Sequence, residues 1–186
     1  MGKSTVAGFF ADAGVPIWDA DKAVHRLYGA NADGAVAIQK ICPDAVNQTG
    51  VDRVVLKNRI ARDKSLLKRI EAAIHPLVAA DREEFAATHP SAILLFDIPL
   101  LFETGNPEAY DTVIVVSADP ETQKQRVLER PGMTEQDFEM IKARQMPDEQ
   151  KRKRADFVID TTQSLEETRK TVIDIVARIT GGMKDA

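Results

Sequence analysis

The chain has 186 residues, 44% hydrophobic and 29% charged, a balance that suits a soluble globular protein of one domain with a sizeable core and room for a small subdomain. Its net charge of −4 argues against a general nucleic-acid binder, which needs a basic surplus to displace counterions from phosphates. No apolar run approaches the roughly 20 residues of a membrane span, and one cysteine, Cys42, cannot form an internal disulfide, so the expected setting is cytoplasmic.

Ser4 to Ala13 reads as a helix with Val6, Phe9 and Phe10 on one side, stopped by Gly14. Val15-Pro16-Ile17-Trp18, ending at Asp19, is a short strand whose Pro16 lies outside the regular ladder. From Asp21 to about Thr88 the pattern is helical, with Leu56, Ile60, Leu66, Leu67, Ile70 and Ile74 at helix spacing. His75-Pro76 is expected to break that run, Pro76 opening a new helix because a first turn needs no amide donor. So long a stretch exceeds a simple crossover and predicts an inserted helical subdomain.

Ala92 to Phe96 and Thr112 to Val116 are almost continuous apolar runs, as strands covered on both faces of a parallel sheet are. Pro120 to Glu129 is a helix opened by proline; Thr134 caps another that runs to about Gln145. Phe157 to Ile159 is the last strand. Ser164 and Glu167 form a capping box for a final helix with Val172, Ile175, Val176 and Ile179 toward the core. The expected class is α/β, doubly wound.

Gly2-Lys3-Ser4-Thr5 is the second half of the phosphate-loop pattern G-x-x-x-x-G-K-[ST]. The glycine lets backbone amides turn toward phosphate oxygens, and the helix behind it adds its positive end. Lys3 suits the β and γ phosphates of a nucleotide, and the Ser4 hydroxyl suits Mg²⁺. The first glycine of the pattern, and the buried strand that precedes such loops, would fall before Met1. The expectation is that the natural start lies upstream and that this chain folds poorly or lacks activity. Asp19 and Asp21 stand at the carboxyl end of the second predicted strand, where ligands bind in open α/β sheets. One can act as a general base or organise a metal through water; the alternative is two solvated acids, one capping the next helix.

Gly2-Lys3-Ser4-Thr5-Val6-Ala7, Asp19-Ala20-Asp21, His75-Pro76-Leu77-Val78, Pro99-Leu100-Leu101-Phe102-Glu103 and Ala155-Asp156-Phe157-Val158-Ile159-Asp160 follow one another along the chain. In content and order this set resembles the dephospho-coenzyme A kinases, from Met1 to about Thr180. The resemblance implies a three-layer P-loop NTPase-like fold with a parallel sheet. It also implies a helical acceptor-binding insertion over about 22–90 and a helical lid over about 130–152. The implied reaction moves the γ-phosphoryl group of ATP, with Mg²⁺, to the 3′-hydroxyl of dephospho-CoA, the last step of coenzyme A synthesis.

By the same resemblance Asp21 is the base and Asp19 supports the loop or metal. Gly2, Lys3, Ser4 and Thr5 hold the ATP phosphates, with Lys3 catalytic. His75, Pro76, Pro99, Leu100 and Glu103 lie on the acceptor side, and Arg130 and Arg144 are the lid arginines facing ATP, Pro131-Gly132 serving as a hinge. Read singly, His75 can be a packed residue, Pro99 to Leu101 a simple turn, Glu103 a loop acid and each arginine a solvated charge. Lys151 to Arg154 is expected to be solvated, with one side chain turned inward.

Three other functions remain open: a nucleotide-binding regulator, another small-molecule or nucleoside monophosphate kinase, and a non-catalytic scaffold. The guanine-reading Asn-Lys-x-Asp of a GTPase switch is absent. The expected partners are ATP and dephospho-CoA, with no nucleic acid, no membrane, and a monomer or weak homo-oligomer.

Overall fold

A computed structural model describes residues 2–129 and 131–182. In chain order the elements are α1 (Lys3–Asp12), β1 (Ile17–Asp19), α2 (Ala20–Leu27), α3 (Asp33–Ile41), β2 (Val46–Asn47), β3 (Gly50–Val51), α4 (Arg53–Arg62), α5 (Lys64–Thr88) and β4 (Leu95–Asp97). There follow α6 (Leu101–Thr104), β5 (Ile114–Ser117), α7 (Pro120–Leu128), α8 (Glu135–Lys142), α9 (Asp148–Lys153), β6 (Phe157–Asp160) and α10 (Leu165–Gly182). The fold is mixed α/β, as expected. The chain divides into two compact units, Met1–Ile17 with Pro99–Ala186, and Trp18–Ile98.

In the first unit β5 and β6 pair in parallel, Ile114 opposite Phe157 through Ser117 opposite Asp160. Parallel pairing needs a long crossover, and α7, α8 and α9 supply it. Asp156, just before β6, fixes the start of the register by accepting the Val113 amide at 2.7 Å while its own amide donates to the Val113 carbonyl at 2.9 Å. Helix α1 buries Val6 and Phe10, and it packs against α10, which buries Val172 and Ile175. Gly14 follows α1 at φ 84°, the left-handed stop expected of it. The predicted capping box of Ser164 with Glu167 is present, and the predicted cap Thr134 forms one as well, with Asp137.

Strand β1 is a hydrogen-bonded neighbour of β4, and Pro16 lies just before the strand as its missing amide demands. The core of the second unit gathers Ile38, Leu56, Leu66, Ile70 and Ile74 from α3, α4 and α5, with Ile60 partly buried beside them. Leu67, expected in this core, is 42% exposed, because the residue after Leu66 lies about 100° further round the helix.

Three expectations need correction. The pattern from Asp21 to Thr88 is not wholly helical: β2 and β3 form an antiparallel hairpin. Asn47 Oδ1 accepts the Thr49 amide at 2.8 Å, and Gly50 sits at φ 111°. A Cβ on Gly50 would stand 2.1 Å from the Tyr28 carbonyl oxygen, so only glycine allows this approach. Strands of two residues are too short for alternation to register.

Pro76 does not open a helix but lies inside α5. Proline deprives the Ala72 carbonyl of its usual partner, yet Leu66, Ile70 and Ile74 anchor the preceding turns in the core, and that burial carries the helix through. Finally, Leu95 to Asp97 is half-buried rather than fully covered, and the strand starts three residues later than the apolar run.

Candidate active site

Gly2 precedes α1 at φ 77° and ψ 11°, a left-handed conformation that a side chain resists, and its carbonyl accepts the Val6 amide at 3.0 Å. A Cβ on Gly2 would meet Thr161 Cγ2 at 3.3 Å. Gly2 offers this helix no side-chain cap, and its first turn holds no acid. Lys3 is half-buried in that first turn; Ser4 and Thr5 are exposed.

Thr161, at the end of β6, ties the loop to its surroundings. Its hydroxyl donates to the Ser117 carbonyl at 3.0 Å and accepts Arg126 Nη1 at 3.1 Å, while Arg126 Nη2 donates to the Thr161 carbonyl at 2.8 Å. Arg126 thus braces the strand end beside Gly2. Ser117, 2% exposed at the end of β5, donates to Asp148 Oδ2 at 2.7 Å and anchors the start of α9.

Asp19 ends β1 and caps α2, its Oδ1 accepting the Lys22 amide at 3.0 Å. Asp21 stands exposed in the first turn of α2 with no such duty, while Asp19 is half-buried. The two acids therefore differ in role: one shapes the turn, the other presents its carboxylate to solvent. They belong to the Trp18–Ile98 unit, the phosphate-loop residues to the other.

His75 and Pro76 are exposed on α5, and Pro99 and Leu100 are exposed just before α6. Glu103, on α6, is enclosed. Its Oε1 accepts Lys151 Nζ at 2.7 Å and the Met146 amide at 2.8 Å, with side-chain exposures of 12% for Glu103 and 11% for Lys151. Burial pushes the Glu103 carboxyl upward, but the Lys151 hydrogen bond and charge and the Met146 amide together hold it below the usual carboxylate range. Its buried Oε2 has no hydrogen-bond partner among the described residues. Lys151 is the inward-turned member of the Lys151–Arg154 run; Arg154 lies over the Phe102 ring at 5.1 Å.

Arg144 is exposed after α8, and Arg130 lies outside the described residues. Gly132 has φ 77°, a turn geometry that suits a Pro131-Gly132 bend. The bracing by Arg126 and the Glu103–Lys151 pair were invisible in sequence, since charge runs say nothing of which member faces inward. Among the described residues no helix is long and apolar enough to cross a membrane.

The chain matches the family model described as dephospho-CoA kinase over residues 1–167. It is 52% identical over 182 residues to a dephospho-CoA kinase of Ruegeria pomeroyi, covering 98% of this chain and 92% of that protein. It is 50% identical to one of Mesorhizobium japonicum, over 97% and 92% of the two chains. Among solved structures it superposes on the Thermus thermophilus protein TT1252 with a TM-score of 0.82 at 32% identity, over 95% of this chain and 91% of that one. The dephospho-CoA kinase from Campylobacter jejuni gives a TM-score of 0.71 at 25% identity, over 97% and 92%. With the phosphate-loop turn at Gly2 and the acid pair after β1 already in place, this likeness along nearly all its length shows that the chain belongs to the dephospho-CoA kinase family.

Proposed function

We propose that this protein transfers the γ-phosphoryl group of ATP to the 3′-hydroxyl of dephospho-CoA, giving coenzyme A and ADP. The observation that carries the reading is the left-handed Gly2 leading into α1 with Lys3, Ser4 and Thr5 in its first turn, in a chain of this family. Lys3 and the first-turn amides bind the triphosphate tail, and Lys3 offsets negative charge as it shifts toward the leaving ADP. Asp21 accepts the proton of the 3′-hydroxyl as that oxygen forms its bond to phosphorus and the bond to the β-phosphate oxygen breaks. Its exposure beside a turn already capped by Asp19 supports that assignment.

His75, Pro76, Pro99 and Leu100, all exposed, line the acceptor side, together with Asp19. Glu103 is assigned to the same side by the family likeness, with its Oε1 held by Lys151 and the Met146 amide. Residues about 22–90 form the acceptor-binding subdomain and about 130–152 the lid, from which Arg130 and Arg144 reach ATP.

Among the described residues no group of three His, Cys, Asp or Glu is assembled to hold a metal. Mg²⁺ is commonly held by one or two protein oxygens and the substrate phosphates. Ser4 would supply the protein oxygen for Mg²⁺, and a bound ion would supply neutralisation of phosphate charge. Cys42 is buried and unpaired by disulfide, in keeping with a cytoplasmic setting.

The test is ADP release with ATP, Mg²⁺ and dephospho-CoA, beside adenosine, AMP, gluconate and shikimate as acceptors. Stimulation by dephospho-CoA alone is expected. Stimulation by another acceptor instead would move the assignment to a different small-molecule kinase, and stimulation by none would favour a nucleotide-binding regulator.

A further inference from the structure

Trp18 is the sole tryptophan of the chain, and it immediately precedes Asp19. Its ring is 3% exposed, and its indole Nε1 donates to Asp81 Oδ1 at 2.7 Å. The same oxygen accepts Arg26 Nη2 at 2.6 Å. Trp18 belongs to β1 and Arg26 to the last turn of α2, while Asp81 projects from α5. One carboxylate oxygen on α5 therefore grips the backbone segment that carries Asp19 and Asp21 at both of its ends.

The aromatic packing repeats the same connection. Trp18 meets Phe96 of β4 edge-on at 6.1 Å, and Phe96 meets Phe85 of α5 at 6.3 Å. Phe85 lies four residues beyond Asp81, so both occupy one face of α5. A buried indole N–H needs an acceptor, and a guanidinium beside a carboxylate makes a charge-assisted bond, so the oxygen is held from two directions. Asp19, which follows Trp18 directly, spends its own carboxylate on the Lys22 amide. That leaves the orientation of the turn to Asp81.

We infer that Asp81 is a positioning residue for phosphoryl transfer: through Trp18 and Arg26 it fixes the β1–α2 turn, and with it the Asp21 carboxylate, against α5. The inference rests on the assignment of Asp21 as base. The long helix that carries His75 and Pro76 also carries Asp81. An acceptor resting on α5 is thereby referenced to the same helix that aims the acid.

The experiment compares Asp81→Ala, Asp81→Asn and Asp21→Asn with the double variant Asp81→Ala/Asp21→Asn, reading kcat and both KM values and the fluorescence of Trp18. Misplacing a reacting group by about 1 Å can cost about a hundredfold, so Asp81→Ala should lower kcat by about 10–100-fold, with KM for ATP unchanged and the Trp18 emission shifted. Asp81→Asn keeps an oxygen for the indole and should retain most of the rate. Added to Asp21→Asn, Asp81→Ala should cost little more, because the group it aims is already disabled.

A wild-type kcat in Asp81→Ala, or an equal loss in both backgrounds, overturns the positioning role. Near-normal turnover in Asp21→Asn is a separate failure, that of the base assignment. In that case the positioning role, which rests on the base assignment, falls with it, whereas a slow Asp21→Asn beside a wild-type Asp81→Ala overturns the positioning role alone.

Discussion

Removing the proposed base and removing the proposed phosphate lysine should fail in different ways. Asp21→Asn keeps the size of the side chain and loses its basicity; transfer should slow by roughly two to four orders of magnitude with ATP affinity nearly unchanged. Single-turnover rates beside ATP titrations measure both. Lys3→Ala removes the cation proposed to hold the tail before and during transfer, so affinity and rate should fall together. Gly2→Ala puts a side chain at φ 77° and against Thr161, which should cost about 1–2 kcal/mol in thermal or urea unfolding. At these positions the residue types alone point to the chemistry: a glycine, a lysine and a hydroxyl in tandem at a helix start suit a phosphate tail. The partner of Asp81 could not be read that way, because Trp18 and Asp81 are 63 residues apart and no local pattern joins them.

At the scale of elements, the ion pair between Glu103 on α6 and Lys151 on α9 is the sharpest test of what packs the first unit. Lys151→Met strands a buried carboxylate and should destabilise by about 3–5 kcal/mol, whereas Glu103→Leu with Lys151→Met should recover most of that loss. The pair also sets a pH dependence. Because the folded Glu103 carboxyl is held below its unfolded value, its stabilisation is complete above the unfolded-state range and disappears as pH falls through the depressed folded value. The stability gap between wild type and Lys151→Met, followed by denaturant melts, should therefore narrow on acidification. Helices with clear caps were legible here, as Thr134, Ser164 and Pro120 show. The β2–β3 hairpin and the continuity of α5 through Pro76 were not. A two-residue ladder has no period, and a proline's local cost is outweighed only by burial of distant partners.

At the scale of the molecule, nucleotide binding should appear as stability. ATP with Mg²⁺ at about a hundred times its Kd should add about 2.7 kcal/mol to the wild type and markedly less to Lys3→Ala, visible as a smaller rise in melting temperature. The α/β class, the parallel strands and the family were readable in one dimension, because strand burial, helix caps and the motif order at 2–5, 19–21, 75–78, 99–103 and 155–160 are local or sequential properties. Which lysine of 151–154 turns inward, which arginine braces Thr161 and which acid holds the indole of Trp18 were decided by tertiary structure alone. Burial and pairing of a charged side chain depend on neighbours contributed by remote segments, and only folding brings those segments within hydrogen-bond reach.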